Sequence, residues 1–375
     1  MRRRAALLST LVFAAGSAAL FPATGAEAQP RLQAQPRPHA QPRSQAQTGP
    51  QAQTGTEARP RPRPAQHPAA DSATEQRQVL RYWTERKMEA AAPLAAPGPR
   101  KGAKLSAADA GAPWTAAPTS SAQAAQAAQA GQTAPTPLTA QAGQAARSGG
   151  EPWTGGGAVV RTTGRIFFTT AQGRNASCSG SAVTSANNST VVTAGHCVKM
   201  NGAFHANWVF VPGYDKGARP FGTWAATRLL TTPQWNAGED VNFDVAAAVV
   251  APLDGKTLVD VVGGQGVAFN QQRRQRMHAF GYPAAAPYDG SRLIHCGGRT
   301  FDDYLVSDDL GLTCNMTGGS SGGPWLQNFS ESTGLGTLNS VNSFKYGFAP
   351  DWMFGPYFGN EAQALYQAAQ TTGAL

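Results

Sequence analysis

Hydrophobic positions are spread unevenly along the 375 residues of this chain. From about residue 151 onward, short apolar runs recur: Arg165–Phe168, Ser181–Val183, Thr190–Val192, Trp208–Val211, Val245–Val250, Leu258–Val262 and Arg276–Phe280. Each has the length of a strand and is bounded by Gly, Asn, Pro or Ser. Turns are expected at Arg174–Ser177 and Ser185–Asn188, where small polar residues cluster. Only the last segment carries helical punctuation, with Asn360 as N-cap, Glu361 to Gln370 as the body and Gly373 beyond. A β-rich stretch of this size ending in one helix predicts an all-β fold of two barrels or a sandwich.

The first part of the chain reads differently. Arg2–Arg4, an apolar run from Ala5 to Phe21 and the A-x-A site Ala26–Ala28 form a secretory signal, with a cut expected after Ala28. Residues 29 to about 70 are mostly Gln, Ala, Pro and Arg. They lack the apolar surface needed to offset ordering entropy, which predicts disorder. Between 71 and 92, Val79, Leu80, Tyr82, Trp83, Arg86 and Met88 predict a short amphipathic helix, capped by Asp71 or Ser72 and stopped at Pro93. Residues 93–150 return to Ala, Gln, Pro and Gly, with the repetitive tract SAQAAQAAQAGQ at 121–132. Residues 29–150 therefore read as a linker or a pro-region. In the second case the 71–92 helix is a folding or inhibitory element. A folded domain is expected at 151–375.

Charge and cysteines narrow the classes. The net charge of +9 comes from the first part: residues 1–149 hold 17 Lys/Arg and seven Asp/Glu, and residues 150–375 hold 14 and 15. The C-terminal domain is thus not marked as a nucleic-acid binder. A basic tail touching an anionic cell envelope is an unspecific expectation. No other apolar run is long enough to cross a bilayer, so stable membrane insertion is not expected. The four cysteines, Cys178, Cys197, Cys296 and Cys314, suggest two disulfides on an exported chain. Of three connectivities, the sequence-local pairing Cys178–Cys197 and Cys296–Cys314 is the one expected. No cofactor or metal is expected. A zinc site built from the His-Cys pairs lacks any C-x-x-C spacing.

The chemistry concentrates in Cys314–Trp325, CNMTGGSSGGPW, where Ser320 and Ser321 sit between glycine pairs. A nucleophilic serine needs a base, and the base an orienting carboxylate. The histidines are His39, His67, His196, His205, His278 and His295, and none follows Ser321. That excludes the nucleophile elbow of α/β-hydrolases, whose histidine comes after the serine. A subtilisin-type order needs an aspartate before the histidine. Only Asp71 and Asp109 precede His196, both in the low-complexity part. The surviving order is His, Asp, Ser. His196 stands at the end of an apolar run beside Cys197. His205 and His278 read as structural, and His295 lacks the Thr-Ala-Gly context. For the acid, Asp244 at the mouth of the run Val245–Val250 leads, with Asp240 second.

Those residues resemble the trypsin-like, chymotrypsin-fold serine peptidases. TAGHC around His196, FDVAAAVV around Asp244 and GGSSGGP around Ser321 match that family's three motifs in chain order. CSGSAV at 178–183 resembles the strand carrying the disulfide partner of the cysteine after the histidine. The likeness spans residue 165 to the C-terminal helix and is nearest to secreted bacterial members. It implies two six-stranded antiparallel barrels with the site between them, polypeptide substrates and a monomer. It also implies roles: Ser321 as nucleophile, His196 as general base, Asp244 as its orienter, and the N–H groups of Gly319 and Ser321 as the oxyanion hole. Asn315 falls at the base of the specificity pocket, and Ser340 on the strand that pairs with substrate. Two departures stand out. Ser320 replaces the aspartate that many members use for activation, and Asn315 is uncharged, which predicts a neutral pocket. The implied function is endopeptidase action through an acyl-enzyme. The alternative is a degenerate peptidase fold serving as a binding or envelope protein.

Overall fold

The computed structural model describes residues 62–96, 98–99, 104–121 and 149–374. The signal segment, residues 29–61 and most of the repetitive tract lie outside them. The first described elements are β1 (Ala65–Pro68), α1 (Ala73–Tyr82), α2 (Glu85–Glu89), β2 (Ala92–Pro93), β3 (Trp114–Ala116) and β4 (Glu151–Pro152). The helix expected at 71–92 is present as two short helices. Ser72 caps the first in a capping box with Glu75. Trp83 and Met88 are buried in the core cluster of the domain that follows. The indole N–H of Trp83 donates to Asn207 O, and Tyr82 O–H donates to Asn175 Oδ1 at 2.8 Å.

The domain proper begins with β5 (Thr163–Thr169), β6 (Asn175–Ala182) and β7 (Thr190–Thr193). The hairpin β8 (Lys199–Met200) and β9 (Ala203–Phe204) follows, then β10 (Ala206–Pro212), β11 (Trp224–Thr231) and β12 (Ala246–Val250). Strands β11, β10, β5, β6, β7 and β12 lie side by side in that order, and β12 returns to pair with β11. The ladder therefore closes on itself as a six-stranded barrel with no free edge. Its strands bury a large apolar set, with Ile166, Phe167, Val191, Val209, Phe210, Leu229 and Ala248 all fully buried, beside small polar residues such as Ser179, Ser181 and Thr190.

The second half contains β13 (Gly266–Phe269), β14 (Arg276–Gly281), β15 (Ile294–Arg299), β16 (Phe301–Asp302), β17 (Leu310–Thr313), β18 (Pro324–Ser330), β19 (Leu335–Val341) and β20 (Trp352–Gly355). One sheet runs β3-β13-β19-β18-β14-β15-β4, and a separate three-stranded sheet runs β16-β17-β20. The class is all-β, as expected. The second half is an open sheet beside a smaller one, and among the described residues no pairing closes it into the expected second six-stranded barrel. A disulfide from Cys296 on β15 to Cys314 just after β17 joins the two sheets.

Three readings are corrected here. Leu258–Val262 is a helix, α3, because Thr257 and Asp260 form a capping box that turns an apolar run helical. Arg174–Ser177 is not one turn: the turn ends at Arg174, and β6 begins at Asn175. Residues 62–70 and 104–121 do not stand apart from the domain. β1 pairs antiparallel with β11 from Ala65↔Thr231 to Pro68↔Arg228, and β3 pairs antiparallel with β13. The chain closes in α4 (Asn360–Thr371), whose Leu365, Tyr366 and Ala369 are buried.

Candidate active site

His196 lies in a single 3-10 turn, Gly195–Cys197, directly after β7. Asp244 ends another such turn, Val241–Phe243, directly before β12. β7 and β12 are paired neighbours with Ala246 opposite Thr193, so the register alone brings the two side chains together. Asp244 Oδ1 accepts the His196 backbone N–H at 2.8 Å, and Oδ2 lies 2.8 Å from His196 Nδ1. Both side chains are fully buried. A carboxylate facing Nδ1 fixes the tautomer with its proton there and leaves Nε2 as the basic nitrogen. Gly195 has to be glycine: a Cβ there would sit 2.7 Å from the Trp235 ring and 2.9 Å from Asp244 Oδ1.

Further residues support the pair. Ser343 donates its hydroxyl to Asp244 Oδ2. His205 Nε2 lies 3.0 Å from His196 O, so that nitrogen carries the proton and donates it. The His205 ring stacks on Phe168, and burial pushes it down to about 4, which keeps it neutral. Trp208 donates its indole N–H to Cys197 O at 3.0 Å. The Cys178–Cys197 disulfide ties the histidine turn to β6.

Ser321 comes from the loop between β17 and β18 in the other half. Its carbonyl accepts Ser179 N–H at 2.7 Å, which docks the loop on β6. Gly319 and Gly322 have φ of 94° and 80°, a region that side chains rarely enter. A Cβ on Gly322 would lie 2.0 Å from Thr193 Oγ1, so this glycine also lets the loop pack against the histidine turn. Ser320 Oγ donates to Thr317 O inside the loop. Ser321 Oγ donates to Leu94 O at 3.3 Å. His196 Nε2 is buried and has no hydrogen-bond partner among the described residues.

Asn315, the residue expected at the pocket base, is tied to two neighbours. Its Oδ1 accepts the Gly150 N–H at 2.7 Å and the Tyr288 hydroxyl at 2.6 Å. Lys345 braces the same loop by donating to Cys314 O at 2.9 Å. Ser340 is not at the site: it is fully buried and donates to Pro356 O. Ser343, three residues on, is the serine that reaches Asp244. The stretch Ser340-Val341-Asn342-Ser343 offers two serines in similar surroundings, and the strand ends between them. Asp240 does not pair with the histidine: it accepts the Ser106 N–H at 2.8 Å and the Asn242 N–H at 3.1 Å. His278 and His295 pair with each other at 2.9 Å. Among the described residues, Cys178, His196 and Cys197 form one cluster of metal-ligand type. Its two sulfurs are bonded to each other, so neither is a thiolate able to bind a metal.

No family model matches the chain. Among solved structures, the protease Anisep from Arthrobacter nicotinovorans is 45% identical, with 56% of this chain and 96% of that one covered and a TM-score of 0.54. The thermostable serine protease AL20 from an extremophilic microorganism is also 45% identical, with 57% and 100% covered and a TM-score of 0.54. An extracellular metalloprotease of Bacillus subtilis (strain 168) is 32% identical over 73 residues. That stretch spans 19% of this chain and 23% of the curated relative. With nearly the full length of two proteases covered at this identity, one of them named a serine protease, the chain belongs to the chymotrypsin-fold serine proteases and is a peptidase.

Proposed function

We propose that this peptidase is a secreted serine endopeptidase working through an acyl-enzyme. Ser321 attacks the scissile carbonyl. His196 Nε2 takes its proton and later returns it to the leaving amine. Asp244 holds the imidazole and stabilises the imidazolium that forms. The N–H groups of Gly319 and Ser321 receive the oxyanion, where removing one donor typically costs on the order of a hundredfold or more in rate. The observation that carries this reading is the buried 2.8 Å contact between His196 Nδ1 and Asp244 Oδ2, with Ser321 docked on β6, the strand that the Cys178–Cys197 disulfide ties to the histidine turn.

Asn315 is uncharged and already engaged by Gly150 and Tyr288, which supports a pocket with a neutral base and no built-in preference for lysine or arginine. Export through a signal at residues 1–28 agrees with the two disulfides. We assign 29–150 as a pro-region and 151–375 as the peptidase domain. The strand pairings of β1 and β3 favour a pro-region over a free linker. The test is fluorophosphonate labelling of the secreted protein. Labelling is expected in the wild type and absent in Ser321→Ala. Labelling that survives Ser321→Ala and vanishes in Ser320→Ala would move the nucleophile by one residue.

A further inference from the structure

The segment after α2 runs through the cleft. Ala92 and Pro93 pair in parallel with Ala176 and Ser177 of β6. Leu94 then uses both of its backbone groups on the site. Its N–H donates to Ser177 O at 2.9 Å, and its carbonyl accepts the Gly319 N–H at 2.8 Å. The same carbonyl accepts the Ser321 hydroxyl at 3.3 Å. Ala96 is buried in a small apolar cluster with Val241, Phe344, Tyr346 and Phe354, and Leu105 packs against that cluster. Ser106 follows, with its N–H on Asp240 and its carbonyl accepting from Asn242.

We infer that Ala92–Ala96 is an inhibitory strap, and that the cleft of the processed enzyme is a binding site for this segment of its own chain. The inference rests on the reading of Ser321 as nucleophile. Three observations carry it. The Gly319 N–H, an oxyanion donor, is already engaged by Leu94. The Ser321 hydroxyl points at the Leu94 oxygen, so its proton is not directed at His196. His196 Nε2, fully buried, has no partner, which is the cost of diverting the serine. With Ser321 donating to Leu94 O and not to His196, the proton transfer that attack requires has no direct path, so the strap is held in place of substrate. Its anchors lie on both sides of Leu94: a strand pairing on β6, and the apolar cluster that receives Ala96. The inhibitory part is thus the extended stretch after the helices. α1 and α2 act as its mooring through buried Trp83 and Met88.

The test is the rate of fluorophosphonate labelling of the full chain. Leu94→Pro removes the N–H that binds Ser177 O. Ala96→Asp places a charge in the cluster of Val241, Phe344, Tyr346 and Phe354. Each variant is expected to label faster than the wild-type full chain, by about tenfold for the lost hydrogen bond and more for the buried charge. Asp71→Ala, which loses only the surface pair with Arg228, is expected to stay masked. A wild-type full chain that labels as fast as both strap variants overturns the inference. So does cutting of the Leu94–Ala95 bond in the intact wild type, seen by mass spectrometry, which would make the strap a substrate. If no form labels, including protein freed of residues before 149, the reading of Ser321 falls and takes the strap with it.

Discussion

The two halves of the domain hold their share of the site in different ways. In the first, a closed ladder of six strands fixes two neighbouring strand ends, and the histidine and aspartate sit just beyond them. Backbone register does most of the positioning. In the second, the sheet is open, and Ser321, the proposed nucleophile, lies on a loop shaped by left-handed glycines and one disulfide. There, side chains and turns do what the ladder does opposite: Asn342 donates to Phe280 O and Ser320 O, and Lys345 braces Cys314 O. The His196–Asp244 pair is built into the barrel, and the parts proposed to meet substrate are hung on loops.

Breaking the loop at its reacting atom gives the largest effect. Ser321→Ala is expected to lower kcat by on the order of 10⁴-fold or more, read as single-turnover peptide hydrolysis. On the barrel side, Asp244→Asn keeps the shape but presents the wrong hydrogen-bonding group, and a loss on the order of 10⁴-fold is the upper expectation.

The disulfides sharpen the contrast because their loops are nearly equal, with separations of 19 and 18 residues. Chain entropy assigns each about 3 kcal/mol. Cys296→Ala with Cys314→Ala, in the open half, should lose that amount in urea unfolding. Cys178→Ala with Cys197→Ala should lose less stability, because the ladder retains its closure, yet more activity, because Cys197 adjoins the base. Equal losses on both counts would erase the distinction between the halves.

Ser343→Ala removes a hydrogen bond to a buried carboxylate. It should lower kcat about tenfold with KM nearly unchanged. The smallest effect concerns pH. Burial depresses His205 to about 4 from an ordinary value near 6.5. Its contribution is fully present above about 6.5 and is lost as pH falls toward 4, since the unfolded chain then binds the extra proton. His205→Phe should flatten the fall in Tm across that window. A slope identical to wild type would count against it.

The motifs around His196, Asp244 and Ser321 were legible because each combines a reactive side chain with the small neighbours that close packing demands. The barrel strands were legible for a similar reason, as apolar runs between turn residues. What escaped was decided by partners far away in the chain. Leu258–Val262 has a strand's composition but a helix's cap. Ser343 differs from Ser340 only in facing Asp244. β1 has no large apolar residue and β3 is only three residues long, with Trp114 alone, so neither carries the alternation that predicts a strand; their pairing comes from edges that β11 and β13 offer. The strap at Leu94 escaped most completely, since it acts through its backbone, which every residue shares.

The N-terminal segment is clasped in three places: β1 on the barrel, β2 beside the cleft and β3 on the open sheet. A single cut between residues 121 and 149 severs the chain but touches none of these pairings. Scission and release are then separate events. The first makes a two-chain complex that is still closed, and the second is a dissociation, sensitive to dilution and to anything that removes the loose fragment. Such a peptidase would carry its own delay, set by how fast a severed piece lets go.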